Sequence, residues 1–213
     1  MDPYQFGYPR HCIKCESFSQ VALKLPLPYY NGITHTKKIM LIGQDPYIFS
    51  KPERVEFVLM LNEDKGQLRG WLSDFLGKDI FGQVELYATN VVKCPVKRGA
   101  SISQKRVLNT LKPFFNNCKD YLIKEIIQFK PTLVLTFGEP AHRLFTTILS
   151  NQRDFGVSMH EAFTGEFIEA KIGNVFFKYS PCLHIKTFRV ADTYGERVKA
   201  FKTRLAQEIN III

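Results

Sequence analysis

Lys38-Ile39-Met40-Leu41-Ile42 is an apolar run halted by Gly43, and its reading decides the fold. A strand covered on both faces reads as continuous apolar sequence, as the strands of a parallel sheet do. Working outward, the same pattern recurs in Val84 to Val92 (VELYATNVV), Thr132 to Phe137 (TLVLTF) and Val175 to Tyr179 (VFFKY). Helical spacings lie between and beyond these runs. Leu122, Ile126 and Phe129 form a stripe that stops before Pro131, a residue that disfavours helix in the position ahead of it. Ala141, Leu144, Phe145, Ile148 and Leu149 give the stripe of a core-facing helix. Val198, Phe201, Leu205 and Ile209 repeat it near the C-terminus. Strands alternating with helices predict an α/β fold, a three-layer α/β/α sandwich around a central, mostly parallel four-stranded sheet.

The 213 residues suit one domain spanning 1–213, with residues 1–36 as an N-terminal arm without sustained periodicity. At 45% hydrophobic and 23% charged residues the composition is that of a soluble globular chain. The apolar runs are strand-sized, far from membrane-spanning length. Met1-Asp2-Pro3-Tyr4 does not open a secretory signal, so a cytoplasmic location without a membrane partner is expected. A net charge of +9 favours polyanions, because each neutralised phosphate releases condensed counterions. Five cysteines, at 12, 15, 94, 118 and 182, argue against a disulfide framework and toward metal or reactive chemistry.

In open parallel sheets the ligand site lies beyond the carboxyl ends of the strands. The residues there are Gln44-Asp45-Pro46-Tyr47, Asn90, Gly138-Glu139 and Ser180-Pro181-Cys182. Gly43-Gln44-Asp45-Pro46-Tyr47, following an apolar strand, resembles the water-activating motif of the uracil-DNA glycosylases. Thr89-Asn90-Val91-Val92-Lys93-Cys94 resembles the second motif of the iron–sulfur branch (family four) of that superfamily. Cys118-Lys119-Asp120-Tyr121-Leu122 and the segment from Lys130 to Gly138, with Ala141, are similar to the same branch, and Cys12-x-x-Cys15 completes its cysteine set. The resemblance runs from about residue 12 to about 190 and joins the first motif of one branch to the cysteines of another, as in a divergent member.

The resemblance implies a structural 4Fe–4S cluster on Cys12, Cys15, Cys94 and Cys118. Four thiolates equally suit a tetrahedral zinc ion, and buried cysteines can also serve simply as small hydrophobes. It implies, further, a monomeric DNA glycosylase of base excision repair that hydrolyses the bond between uracil, or a related damaged base, and its sugar. The base would be flipped out of the duplex.

In that site Asp45 would orient the attacking water and stabilise the cationic sugar, though an Asp in such a loop also serves as a turn residue. Asn90 would donate to O4 and accept from N3–H of uracil, a pattern cytosine inverts; a buried Asn also satisfies backbone groups at strand ends. Tyr47 would exclude a 5-methyl group, and Gln44 would lie near the base. Phe57 would stack on it, or serve as a core aromatic in a strand where Val55, Phe57 and Leu59 alternate. The third motif departs from the family: Ser180 stands where His precedes Pro181, and a neutral hydroxyl stabilises a developing anion less well. His184 falls where the family places its wedge, to enter the stack or to reach back into the pocket. Pro181, His184, Lys186 and Arg189 would contact DNA, together with Lys97, Arg98, Lys105 and Arg106. Ser180 leaves open a catalytically weak or inactive domain that binds DNA or protein.

Overall fold

Apolar runs that exclude water from both faces assemble here into one sheet. In a computed structural model the described residues are 2, 4–16, 25–46, 56–62, 67–76, 80–97, 104–151, 155, 158–184 and 194–209. The strands are β1 (Tyr29–Tyr30), β2 (Lys38–Gly43), β3 (Glu85–Asn90), β4 (Leu133–Phe137), β5 (Ile168–Ile172) and β6 (Val175–Cys182). The helices are α1 (Gln67–Leu76), α2 (Gln104–Phe129), α3 (Glu139–Thr146), α4 (Met159–Ala162) and α5 (Gly195–Glu208). A short 3-10 turn spans Val58–Met60.

The sheet order is β1-β3-β2-β4-β6-β5, with β3, β2, β4 and β6 parallel and the two edge strands antiparallel. The expected four parallel strands are present, but the sheet has six strands rather than four. Both additions escape periodicity for simple reasons. β1 is two residues long, and β5 alternates exposed and buried positions at an edge.

The strand pleat sends alternate residues to opposite faces. Ile39, Leu41, Leu86, Ala88, Leu133, Leu135 and Phe137 pack with α1 and α5, through Leu68, Trp71, Leu72, Phe201 and Leu205. Met40, Ile42, Tyr87, Val134, Phe177 and Tyr179 pack with α2 and α3, through Phe114, Leu122, Ile126, Leu144 and Phe145. The three layers are therefore those expected. The C-terminal helix runs to Glu208, as its spacing predicts, and α2 ends at Phe129, where Lys130 turns left-handed (φ 53) ahead of Pro131. The helix read from Ala141 to Leu149 closes sooner, at Thr146.

The N-terminal arm is held down by aromatic packing. Phe6 meets Tyr30, Tyr87 and Phe129 edge-on, each with ring centroids 5.1 Å apart. Asn117 on α2 donates to Lys14 O (3.1 Å) and to Cys15 Sγ (3.3 Å). Among the described residues, no helix is long and apolar enough to cross a membrane.

Candidate active site

The site is built where β2 and β3 end together. Gly43 is in register with Asn90, and the ladder continues past both strands through Val91 N–H to Gly43 O (2.9 Å) and Val92 N–H to Gln44 O (3.0 Å). These bonds carry Gln44 and Asp45 out over the carboxyl edge beside Asn90. The Gln44 amide donates to Asp45 Oδ1 at 3.0 Å, and the Val96 N–H approaches Asp45 Oδ2 at 3.4 Å. The carboxylate is half-buried, with one oxygen steered by its own neighbour.

Asn90 is 1% exposed, and its Oδ1 is a buried side-chain acceptor without a hydrogen-bond partner among the described residues. Buried polar atoms are nearly always paired, so an orphan of this kind calls for a partner beyond the described residues. Oδ1 occupies the space where a Cβ on residue 43 would stand, and Leu59 Cδ2 presses on the same place. Gly43 is required by that close approach.

Leu59 is a site residue that sequence reasoning did not single out. It and Met60 hold left-handed backbone (φ 58 and 51), uncommon for bulky side chains and concentrated where function over-determines the chain. Of the alternation read over Val55, Phe57 and Leu59, Val55 lies outside the described residues, and Phe57 to Leu59 do not continue as a strand. Phe57 makes a single bridge to Leu27 and leads into the 3-10 turn, which turns Leu59 onto Gly43. Phe57 is half-buried, beside that wall.

The third motif lies elsewhere. Register aligns Thr89, Ile42, Thr136 and Pro181 in one row and Ala88, Leu41, Leu135 and Ser180 in a deeper one; the pairs Gly43–Asn90 and Phe137–Cys182 lie one step further out. Ser180 is sealed in the sheet, its hydroxyl bonded to Pro181 O at 3.2 Å. Cys182, and not Ser180, shares the row of Asn90. It stands three strands away, roughly 14 Å at ~4.8 Å per strand, and burial pushes its thiol well up. Pro181, expected on the DNA-facing surface, is buried opposite Thr136. His184 is exposed just past β6, and Lys97, Lys105 and Arg106 are exposed as well. Tyr47, Arg98, Lys186 and Arg189 lie outside the described residues.

Cys15, Cys94 and Cys118 are buried and Cys12 half-buried. Burial pushes the Cys94 thiol up to about 12, and Cys118, Cys15 and Cys12 each add to the shift. Cys118 rises to about 11 for the same leading reason, moderated by a backbone hydrogen bond from Lys93 and by the Lys93 charge. The four thiols therefore share one neighbourhood. No three His, Cys, Asp or Glu side chains among the described residues gather tightly enough to hold a metal ion.

A parallel α/β sheet carrying a carboxylate and an unpaired amide at its carboxyl edge belongs to the class of α/β enzymes that bind their ligand at strand ends. A family model described as the uracil DNA glycosylase superfamily matches residues 31–205, and the chain belongs to that superfamily. Membership makes it a glycosylase-type hydrolase that acts on DNA. No curated protein sequence matches the chain.

Proposed function

We propose that the protein removes uracil from DNA by hydrolysing the bond between base and sugar, in base excision repair. The observation that carries this reading is the orphaned Oδ1 of Asn90, buried beside Gly43 within two residues of the Asp45 carboxylate. Oδ1 accepts the N3–H of uracil, and the amide nitrogen of the same side chain donates to O4. Cytosine presents the opposite pattern at that edge and would leave two buried groups unpaired, a large penalty.

Asp45 acts under the sugar. As the glycosidic bond lengthens the sugar becomes cationic, and a fixed carboxylate stabilises that charge while orienting a water molecule for attack. Gln44 holds the carboxylate in place. Phe57 supplies the stacking face and Tyr47 the barrier to thymine. His184, exposed just past the end of β6, meets the DNA in this reading, and Lys186 and Arg189 follow it in the chain. The protein works as a monomer in the cytoplasm and cleaves no strand itself.

Cys12, Cys15, Cys94 and Cys118 hold a structural 4Fe–4S cluster in this reading. Their shared neighbourhood supports a common centre. A single zinc ion with Zn–S near 2.3 Å needs its sulfurs about 3.8 Å apart, whereas a cluster binds each thiolate to a separate iron and tolerates a wider set. The cluster fastens the arm to α2 and takes no part in the hydrolysis.

The test is base release from single-stranded and duplex oligonucleotides containing uracil, hypoxanthine or a mismatch, followed by alkaline cleavage of abasic sites. Uracil release should fall ~10²- to 10⁴-fold in Asp45→Asn, the usual contribution of a positioned acid–base group. The sealed position of Ser180 favours a second reading, a domain that grips DNA with little hydrolysis. Tight DNA binding without product from any lesion would establish it.

A further inference from the structure

Behind Asn90 lies a lysine that the hydrolysis itself does not use. Lys93 and Glu125 form an ion pair with both side chains fully enclosed, between the end of β3 and the C-terminal part of α2. The Lys93 ammonium donates to Thr89 Oγ1 at 2.6 Å, to the backbone oxygen of Asn90 at 2.8 Å and to Glu125 Oε2. An ammonium has three donors, and each has an acceptor here. Glu125 Oε1 in turn accepts from the Tyr87 hydroxyl at 2.6 Å and the Thr89 hydroxyl at 2.9 Å. The Tyr8 ring lies 5.2 Å from the ammonium, and its hydroxyl donates to Pro26 O at 2.8 Å.

Folding alone is a poor explanation for this group. Desolvating two charges is costly, and well-packed neutral residues of similar volume often serve stability equally well. A fully satisfied buried network does fix geometry, and here it fixes one strand end. Thr89 and Asn90 point to opposite faces of the sheet. Lys93 grips Thr89 by its side chain and Asn90 by its carbonyl, both from the α2 side. The Asn90 amide is thereby aimed to the other side, against Gly43, with its oxygen unpaired.

We propose that Lys93, neutralised by Glu125, is a positioning residue for Asn90, clamping the backbone of the base-reading amide from behind. The inference rests on Asn90 reading the base, and its test separates the two. Lys93→Met alone leaves Glu125 buried without its partner and is prone to misfold. The variant to use is therefore Lys93→Met/Glu125→Gln, which removes both charges and keeps an acceptor for Tyr87 and Thr89.

It should fold, retain its metal content, and release uracil ~10- to 100-fold more slowly, the scale of a small misplacement in a site. In an Asn90→Ala background the same pair of changes should cost under ~3-fold, because the residue through which they act is gone. An equal cost in both backgrounds would mean that the pair serves only the fold, and would overturn the proposal.

A readout independent of catalysis is the side-chain amide resonance of Asn90, assigned by its disappearance in Asn90→Ala. It should shift or broaden in the double variant while resonances of the distant core stay in place. An unmoved Asn90 resonance overturns the proposal. If the wild-type protein releases no base from any oligonucleotide, the uracil reading fails by itself, and this resonance alone decides the role of Lys93.

Discussion

The α-carbon of Gly43 and the side-chain oxygen of Asn90 share a space that admits no additional carbon atom. The two residues are paired in register at the carboxyl ends of adjacent parallel strands. The closeness of that contact sets where the first motif stands relative to the amide, and hence the shape of the site.

Gly43→Ala should therefore damage both stability and function. A methyl group forced against Asn90 and Leu59 costs ~1–3 kcal/mol by overpacking, and it also displaces the amide. Urea denaturation should show the loss. Asn90→Ala introduced into Gly43→Ala should restore most of the stability without restoring uracil release. A Gly43→Ala protein with normal stability and normal release would mean that the contact has no functional weight.

Gln44 is bonded to Asp45 Oδ1 at 3.0 Å. Gln44→Leu should lower the rate of uracil release ~10-fold through loss of one orienting hydrogen bond. Global stability should change little, because the site lies at a half-exposed edge. Single-turnover kinetics separate this from weaker substrate binding, which would appear in KM alone.

Cys94 and Cys118 give a pH signature in chelator-treated protein. Their folded-state values, about 12 and about 11, lie above the ordinary 9.0. A raised acid holds its proton more tightly in the folded state. The associated stability is intact below pH 9 and declines as pH rises toward 11 and 12. Metal displaces those protons, so metal uptake should strengthen with pH. Denaturation of chelated and loaded protein between pH 7 and 10.5 should show a steeper alkaline decline in the chelated form, the buried Cys182 thiol contributing equally to both. Cys15→Ser and Cys118→Ser should each lose the brown colour and most of the iron. Wild-type protein that carries neither iron nor zinc would refute the cluster.

A buried relay on the α3 side tests the fold apart from the chemistry. The Tyr179 hydroxyl is 2.6 Å from His142 Nδ1 and 2.9 Å from Thr136 Oγ1, all three residues being fully buried. Tyr179→Phe leaves both partners short of a bond and should cost ~1–3 kcal/mol. Uracil release at a temperature well below the melting transition should be unchanged, since the relay faces away from the row of Asn90.

Much of the architecture is legible in the chain because burial on two faces leaves a continuous apolar trace. Residues 38–42 carry that trace, and β2 forms there. The turn Val58–Met60 carries none. Its alternation resembles a strand, whereas its backbone is left-handed and sets Leu59 against Gly43. Likewise, the spacing of Ser180, Pro181 and Cys182 does not reveal which of them reaches the edge. Register with β4 decides it, and a shift of one residue would exchange their faces.

Local sequence thus determined the four parallel strands, the stripes of α2, α3 and α5 and the first motif beyond β2, because periodicity and turn chemistry act within a few residues. Tertiary structure decided that Asn90 lies against Gly43, that Ser180 is sealed, and that Lys93 and Glu125 meet although they are 32 residues apart. These are properties of pairing between distant segments, where the positions of buried polar groups depend on which neighbours arrive to satisfy them or to leave them unpaired.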